Sequence, residues 1–112
     1  MTLAQLADAL DLMKVCGDGN PEVSGVYVGD FLSRAMSRVK ADNVWITIMA
    51  NTNVIAVASL TDCACVLLAE GVDLSDDALC AAQENGITVF SSQNSAYDLC
   101  LKIGAILDAG KE

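Results

Sequence analysis

Seven consecutive residues, Cys63 to Ala69, are apolar without one polar alternation, and Glu70-Gly71 ends the run abruptly. A strand with one solvated face alternates apolar and polar side chains; a run with no alternation is the pattern of a strand covered on both faces. Such cover comes from helices above and below, so this segment directs the chain towards an α/β arrangement. Val44 to Met49 adds a second segment rich in β-branched and aromatic residues, another strand.

The segments around these runs supply the remaining elements. Leu3, Leu6, Ala7, Leu10 and Met13 recur at helical spacing behind Thr2 as N-cap, with Asp8 and Asp11 on the opposite side. Lys14 to Cys16 is a short strand, and Gly17-Asp18-Gly19-Asn20-Pro21 is a breaker-rich connection inside the domain. Val26 to Val28 is a strand ended by Gly29. Asp30 then stands where its carboxylate can accept from the free amides of a helix that runs to about Val39 and buries Phe31, Leu32, Ala35, Met36 and Val39. Ala41-Asp42-Asn43 breaks that helix. Asn51-Thr52-Asn53 with Val54 to Leu60 has two readings, a turn and hairpin strand or a cap and buried helix, and propensity alone slightly favours the strand.

Further along, Ser75 caps a helix with Asp76 and Asp77 at its positive end, Leu74 and Leu79 as a hydrophobic staple and Asn85-Gly86 as its stop. Ile87 to Phe90 is a strand. A last helix carries Ala96, Leu99, Cys100, Ile103, Ile106 and Leu107 on one stripe, with Gly110 beyond its end. Strands alternating with helices imply parallel strands joined by right-handed crossovers. The expected fold is α/β, a mostly parallel central sheet of about 4–5 strands with helices on both faces.

A chain of 112 residues is too short for two independent cores, so residues 1–112 form one domain. Its 54% apolar content excludes disorder, and a mean hydropathy of +0.45 exceeds what so small a domain can enclose, which points to a homodimer. The net charge of −9 repels phosphate backbones, so nucleic acid is not expected as a partner. Arg34, Arg38 and Lys40 form the one basic cluster and read most simply as charges complementing a helix C-terminus. The sequence has no signal-peptide pattern and no apolar run approaching the roughly 18 residues of a membrane span; the expected location is the cytoplasm, with the five cysteines reduced.

The chain contains no histidine, which removes the usual general base and every Ser-His or Cys-His dyad. Neither a phosphate-binding Gly-x-x-x-x-Gly-Lys-Ser/Thr loop nor a dinucleotide fingerprint occurs. Cys63 and Cys65, one residue apart, would point to the same face of a strand. They lack the spacing of a zinc knuckle, and with Cys16, Cys80 and Cys100 they read as structural thiols. Asp76-Asp77 answers to the helix dipole. No catalytic residue, metal site or cofactor is expected.

One positional candidate remains. Open parallel sheets bind ligands outside the carboxyl ends of their strands, where free amides and polar loops converge. Those ends are Gly29-Asp30, Asn51-Thr52-Asn53, Glu70-Gly71 and Ser91-Ser92-Gln93, small polar residues able to form a shallow cup or simply to cap their helices.

Gly25-Val26-Tyr27-Val28-Gly29-Asp30-Phe31-Leu32-Ser33, Trp45 to Ile48, Asn53 to Ala58, Glu70-Gly71 and Gly86 to Phe90 together resemble a stand-alone DRTGG domain over roughly residues 1 to 108. The family's Gly-Asp-Arg would fall at Met49-Ala50-Asn51 and its Thr-Gly-Gly at Ala69-Glu70-Gly71, so of that signature this chain keeps Gly71. The resemblance implies the fold of the N-terminal domain of HPr kinase/phosphorylase and a helix from about Thr52 to Thr61. It also implies a regulatory or ligand-sensing role of the kind met beside CBS and nucleotide-binding domains. The expected function is thus a non-catalytic module for a small polar metabolite, a nucleotide, or a signalling or hydrogenase-linked partner protein. Two alternatives stand beside it: a cysteine-based redox or metal accessory protein of anaerobes, and a structural subunit without ligand.

Overall fold

The two strands with the densest apolar sequence lie near the centre of the sheet. In the computed structural model, which describes residues 1–109, the strands are β1 (Met13–Cys16), β2 (Gly25–Val28), β3 (Asn43–Thr47), β4 (Cys65–Leu68) and β5 (Val89–Ser91). The helices are α1 (Leu3–Ala9), α2 (Leu32–Arg38), α3 (Thr52–Thr61), α4 (Asp76–Glu84) and α5 (Ala96–Ala109). The sheet order is β1-β5-β4-β3-β2, with β2 to β5 parallel and β1 antiparallel to β5. Gly110, expected to stop the last helix, lies outside the described residues.

Period two explains why β3 and β4 need unbroken apolar sequence. Val44, Ile46, Cys65 and Leu67 point to one core, closed by Leu3, Leu6 and Ala7 of α1 and Leu99 and Ile103 of α5. Trp45, Val66 and Leu68 point to the other, closed by Ala35 of α2, Val54, Ile55, Val57 and Ala58 of α3, and Ala78 and Ala82 of α4. The alanines on α2, α3 and α4 bring the helix backbones near each other over the second face.

Caps follow the sequence signals where the chain is simple. Thr2 Oγ1 accepts from the Gln5 amide at 3.3 Å while Gln5 Oε1 accepts from the Thr2 amide at 3.0 Å, a reciprocal capping box. Ser75 Oγ accepts from the Ala78 amide at 3.2 Å. The segment that propensity read as a strand is α3: Asn51 Oδ1 accepts from the Asn53 and Val54 amides at 3.1 and 3.3 Å, and four apolar residues find a core. Tertiary burial and a good cap outweigh the β-branched residues' local preference, a matter of tenths of a kcal/mol per residue.

α2 departs from expectation. Its N-cap is Phe31, with no side-chain cap bond, and Phe31 is 71% and Met36 53% exposed instead of buried. The cause is position: α2 follows edge strand β2 and packs against α3, so Ala35 and Val39 are buried and Leu32 half-buried while the outer side of the helix meets solvent. Backbone proximity constrains the β1 end as well. Gly17 adopts φ +91°, and a Cβ there would stand 2.5 Å from Thr88 Cα, so no larger residue fits the approach of this loop to β5.

Because α5 reaches the first core mainly through Leu99 and Ile103, Leu99→Ala is expected to destabilise the domain by roughly 2–5 kcal/mol, whereas exposed Leu60→Ala stays within about 0.5. Urea denaturation followed by the fluorescence of Trp45, the only tryptophan, measures both.

Candidate functional site

The register Val28↔Ile46, Thr47↔Leu68 and Leu68↔Ser91 aligns the carboxyl ends of β2, β3, β4 and β5 along one rim. The polar residues that follow them do different work. Gly29 continues the ladder through its amide to Ile46 O at 3.2 Å, and its carbonyl accepts from Trp45 Nε1 at 3.0 Å, satisfying the buried indole. Asp30 does not cap α2 as expected. Its Oδ1 accepts from Thr47 Oγ1 at 2.6 Å and from the Ile48 amide at 3.0 Å, and Thr47 Oγ1 accepts in turn from the Met49 amide at 3.1 Å. Asp30 therefore ties the end of β2 to the end of β3. Asn51 is occupied by its cap, and Thr52 and Asn53 are exposed on the first turn of α3.

The β4 and β5 ends are joined directly. Glu70 and Gly71 both adopt left-handed conformations, φ +59° and +71°. Their amides donate to Asn94 O and Ser92 O, each at 2.9 Å, while the Ser92 amide donates to Leu68 O at 2.9 Å. The Gln93 side chain lies over this turn: a Cβ on Gly71 would stand 2.6 Å from Gln93 Oε1. Glycine here answers both to the positive φ and to the close side chain.

Around that turn is an open cavity of about 360 Å³. Gly71, Ser91, Ser92 and Gln93 line it, together with Asn94 and Lys102. Leu10, Asp11 and Met13 close it from the other side and Asp73 from the end of the turn. The remaining sequence candidates, Gly29, Asp30, Asn51, Thr52, Asn53 and Glu70, do not line it. Asp11, Met13 and Lys102 were not foreseen. They arrive because Met13 pairs antiparallel with Ser91, which carries the α1–β1 connection to the rim, and because α5 passes alongside.

Two carboxylates, Asp11 and Asp73, and one ammonium, Lys102, flank the cavity. Among the described residues the only ion pair joins the N-terminal ammonium to Glu22 at 2.8 Å, so Lys102 is unpaired. The exposed Gln93 amide makes no side-chain hydrogen bond to another described residue. A larger hollow of about 590 Å³ lies along α1, lined by Ala4, Gln5, Ala7, Asp8, Asp11, Leu12 and Phe90, with Gln5 as its one side-chain donor.

The cysteines do not gather. β4 begins at Cys65, which lies in the core under α1 and α5, whereas Cys63 packs in the opposite core, so the expected shared face is not found. Cys16 is buried and its Sγ donates to Ile87 O at 3.4 Å; Cys80 is exposed and Cys100 half-buried. Among the described residues no group of three or more Cys, Asp or Glu is placed to hold a metal ion. Burial pushes the Cys63 thiol up to about 11, and it pushes the Cys65 thiol up as well. No described helix is long and apolar enough to cross a membrane.

The sequence profile of the DRTGG domain matches residues 5–106. Among solved structures, the chain is similar to the CBS and DRTGG domains of the regulatory region of Clostridium perfringens pyrophosphatase, complexed with the activator diadenosine tetraphosphate. The TM-score is 0.72 at 14% identity, over 91% of this chain and 45% of that one, so the present chain spans less than half of that structure's length. No curated protein matches.

Two outcomes follow from this geometry. Asp30→Ala, which leaves Thr47 Oγ1 and the Ile48 amide without their acceptor, is expected to lower stability by about 1–3 kcal/mol in urea denaturation, and Asp30→Asn by less. The raised thiols make the fold alkali-sensitive. The contribution of Cys63 is intact below the unfolded value near 9 and is lost as pH rises through about 11, because over that range only the unfolded chain ionises it freely. Cys63 alone accounts for about 2–3 kcal/mol over that window, so the urea midpoint should fall between pH 9 and 11 and fall less in Cys63→Ala.

Proposed function

The chain belongs to the DRTGG domain family, and from that membership we propose that it is a non-catalytic regulatory module that binds a small polar ligand in the cup formed by Gly71, Ser91, Ser92 and Gln93. The observation that carries this reading is the difference between the two halves of the rim. Asp30 and Asn51 spend their side chains on strand ends and caps. The exposed Gln93 amide and Lys102 ammonium, by contrast, line an open cavity and have no partner among the described residues. A cavity of about 360 Å³ matches a metabolite-sized guest. The likeness to a regulatory region crystallised with a nucleotide activator agrees with a sensing role, and a chain with no histidine lacks the commonest proton-transfer group.

The charges select among ligands. A polyphosphate would meet Asp11 and Asp73 with Lys102 alone to offset it, on a chain of net charge −9. The cup therefore suits a nucleoside, amide or amino acid with hydrogen-bonding edges better than a polyphosphate. In this reading the module works in the cytoplasm as a homodimer, with Tyr97 and Leu101, exposed one turn apart on α5, as the apolar surface a second copy would cover. Sedimentation velocity of the wild type against Tyr97→Glu/Leu101→Glu tests that assembly.

Thermal shift with adenosine, AMP, ATP, diadenosine tetraphosphate and the amino acids as probes tests the cup. A bound probe at about 100 times its Kd adds about 2.7 kcal/mol, and a domain of this size gains about 4–8 °C per kcal/mol. Stabilisation by an uncharged or zwitterionic probe, lost in Gln93→Ala and Lys102→Ala, is the expected result. If no probe stabilises the protein, or the gain survives both substitutions, the cup is not a receptor and a purely structural subunit is the better description.

A further inference from the structure

The basic cluster on α2 is explained only in part by the helix that carries it. Arg34 and Arg38, the chain's only arginines, stand one helical turn apart, and with Lys40 they make up three of its six basic residues. Sequence reading assigned them to a helix C-terminus, but α2 spans only Leu32–Arg38, so Arg34 is its third residue, in the first turn, where the dipole disfavours a cation. Like charges four residues apart also repel along the helix. None of the three forms an ion pair among the described residues. Arg38, in the last turn, and Lys40, just beyond it, do complement the helix C-terminus as expected; Arg34 does not.

The same surface is apolar at its upper end. Phe31, three residues before Arg34, is largely exposed. Ile48 is exposed as well, and its amide, bonded to Asp30, holds the Ile48 backbone next to the residue that precedes Phe31. An exposed aromatic ring followed by two arginines on one helix has the composition of a protein-binding hot spot. Guanidinium groups spaced by one turn present two planar forks, each able to take a carboxylate with two parallel hydrogen bonds.

We propose that this surface of α2, with Phe31, Arg34 and Arg38 at its centre, docks an acidic segment of another protein, its carboxylates on Arg34 and Arg38 and an apolar side chain against Phe31. Charge decides the class of occupant. A symmetric pairing of two copies through this surface would bring arginine against arginine, and a nucleic acid would carry its row of phosphates past the local cations onto the rest of a chain of net charge −9. An acidic peptide needs to neutralise only the local cations. The surface is separate from the cup around Gly71, so it stands or falls independently of ligand binding there.

A random peptide library displayed on phage, selected on the intact chain, tests this. The expected consensus carries aspartate or glutamate one helical turn apart beside a large apolar residue. Synthetic versions are expected to bind in fluorescence anisotropy, more weakly as salt rises. Arg34→Glu/Arg38→Glu should weaken them by about tenfold or more. Arg34→Lys/Arg38→Lys, which keeps the charge and loses the forks, and Phe31→Ala should each have a smaller effect, and Lys14→Glu, at the opposite edge of the sheet, none. All these side chains are exposed, so circular dichroism should show each variant folded. The proposal is overturned if selection yields no binder, if the peptides lack excess acidic residues, or if they bind the double glutamate variant equally well. Tighter binding of a single-stranded oligonucleotide than of any selected peptide overturns it in favour of nucleic acid.

Discussion

The burial of β3 and β4 on both faces is the constraint from which the rest of the molecule follows. Two strands whose every side chain must leave water impose two cores, and two cores in a small chain impose helices that approach closely. The first core is reached by α1 and α5, the first and last helices, and the second by α2, α3 and α4. The parallel register of four strands is then the arrangement that lets each crossover helix lie over its own strands, and it gathers their polar ends at one rim.

Much of this was legible in the residues. The unbroken apolar run at Cys63 to Ala69 announced a doubly covered strand, and Thr2 and Ser75 announced helix starts through their hydroxyls. Such signals are local: a cap or a period is complete within a few residues. The segment after Asn51 was not legible locally, because Val54, Ile55 and Val57 prefer strands, and the gain that overrides this comes from residues distant in sequence. Phe31 and Met36 misled for a related reason. Their spacing is that of a buried stripe, but only the position of β2 at the sheet edge reveals that the outer side of α2 has nothing to pack against.

The rim shows the same division. That polar residues would collect at strand ends follows from the alternation of strands and helices alone. Which of them would be consumed was hidden, since Asp30 turns to Thr47 and the Ile48 amide instead of to the helix beginning beside it. Asp11, Met13 and Lys102 were hidden because the antiparallel placement of β1 next to β5 is a choice of topology that no short-range pattern specifies. The cysteines illustrate the sensitivity of such reasoning to one residue: starting β4 at Cys65 instead of Cys63 moves the two thiols into different cores.

The antiparallel pairing of Met13 with Ser91 means that the wall opposite Gly71 is supplied by the opening stretch of the polypeptide, and the floor by its closing third. Whatever occupies the space between them is also a clasp. By thermodynamic reciprocity, an occupant that touches both walls holds the N-terminal arm against the sheet, and any contact that peels the arm away expels the occupant.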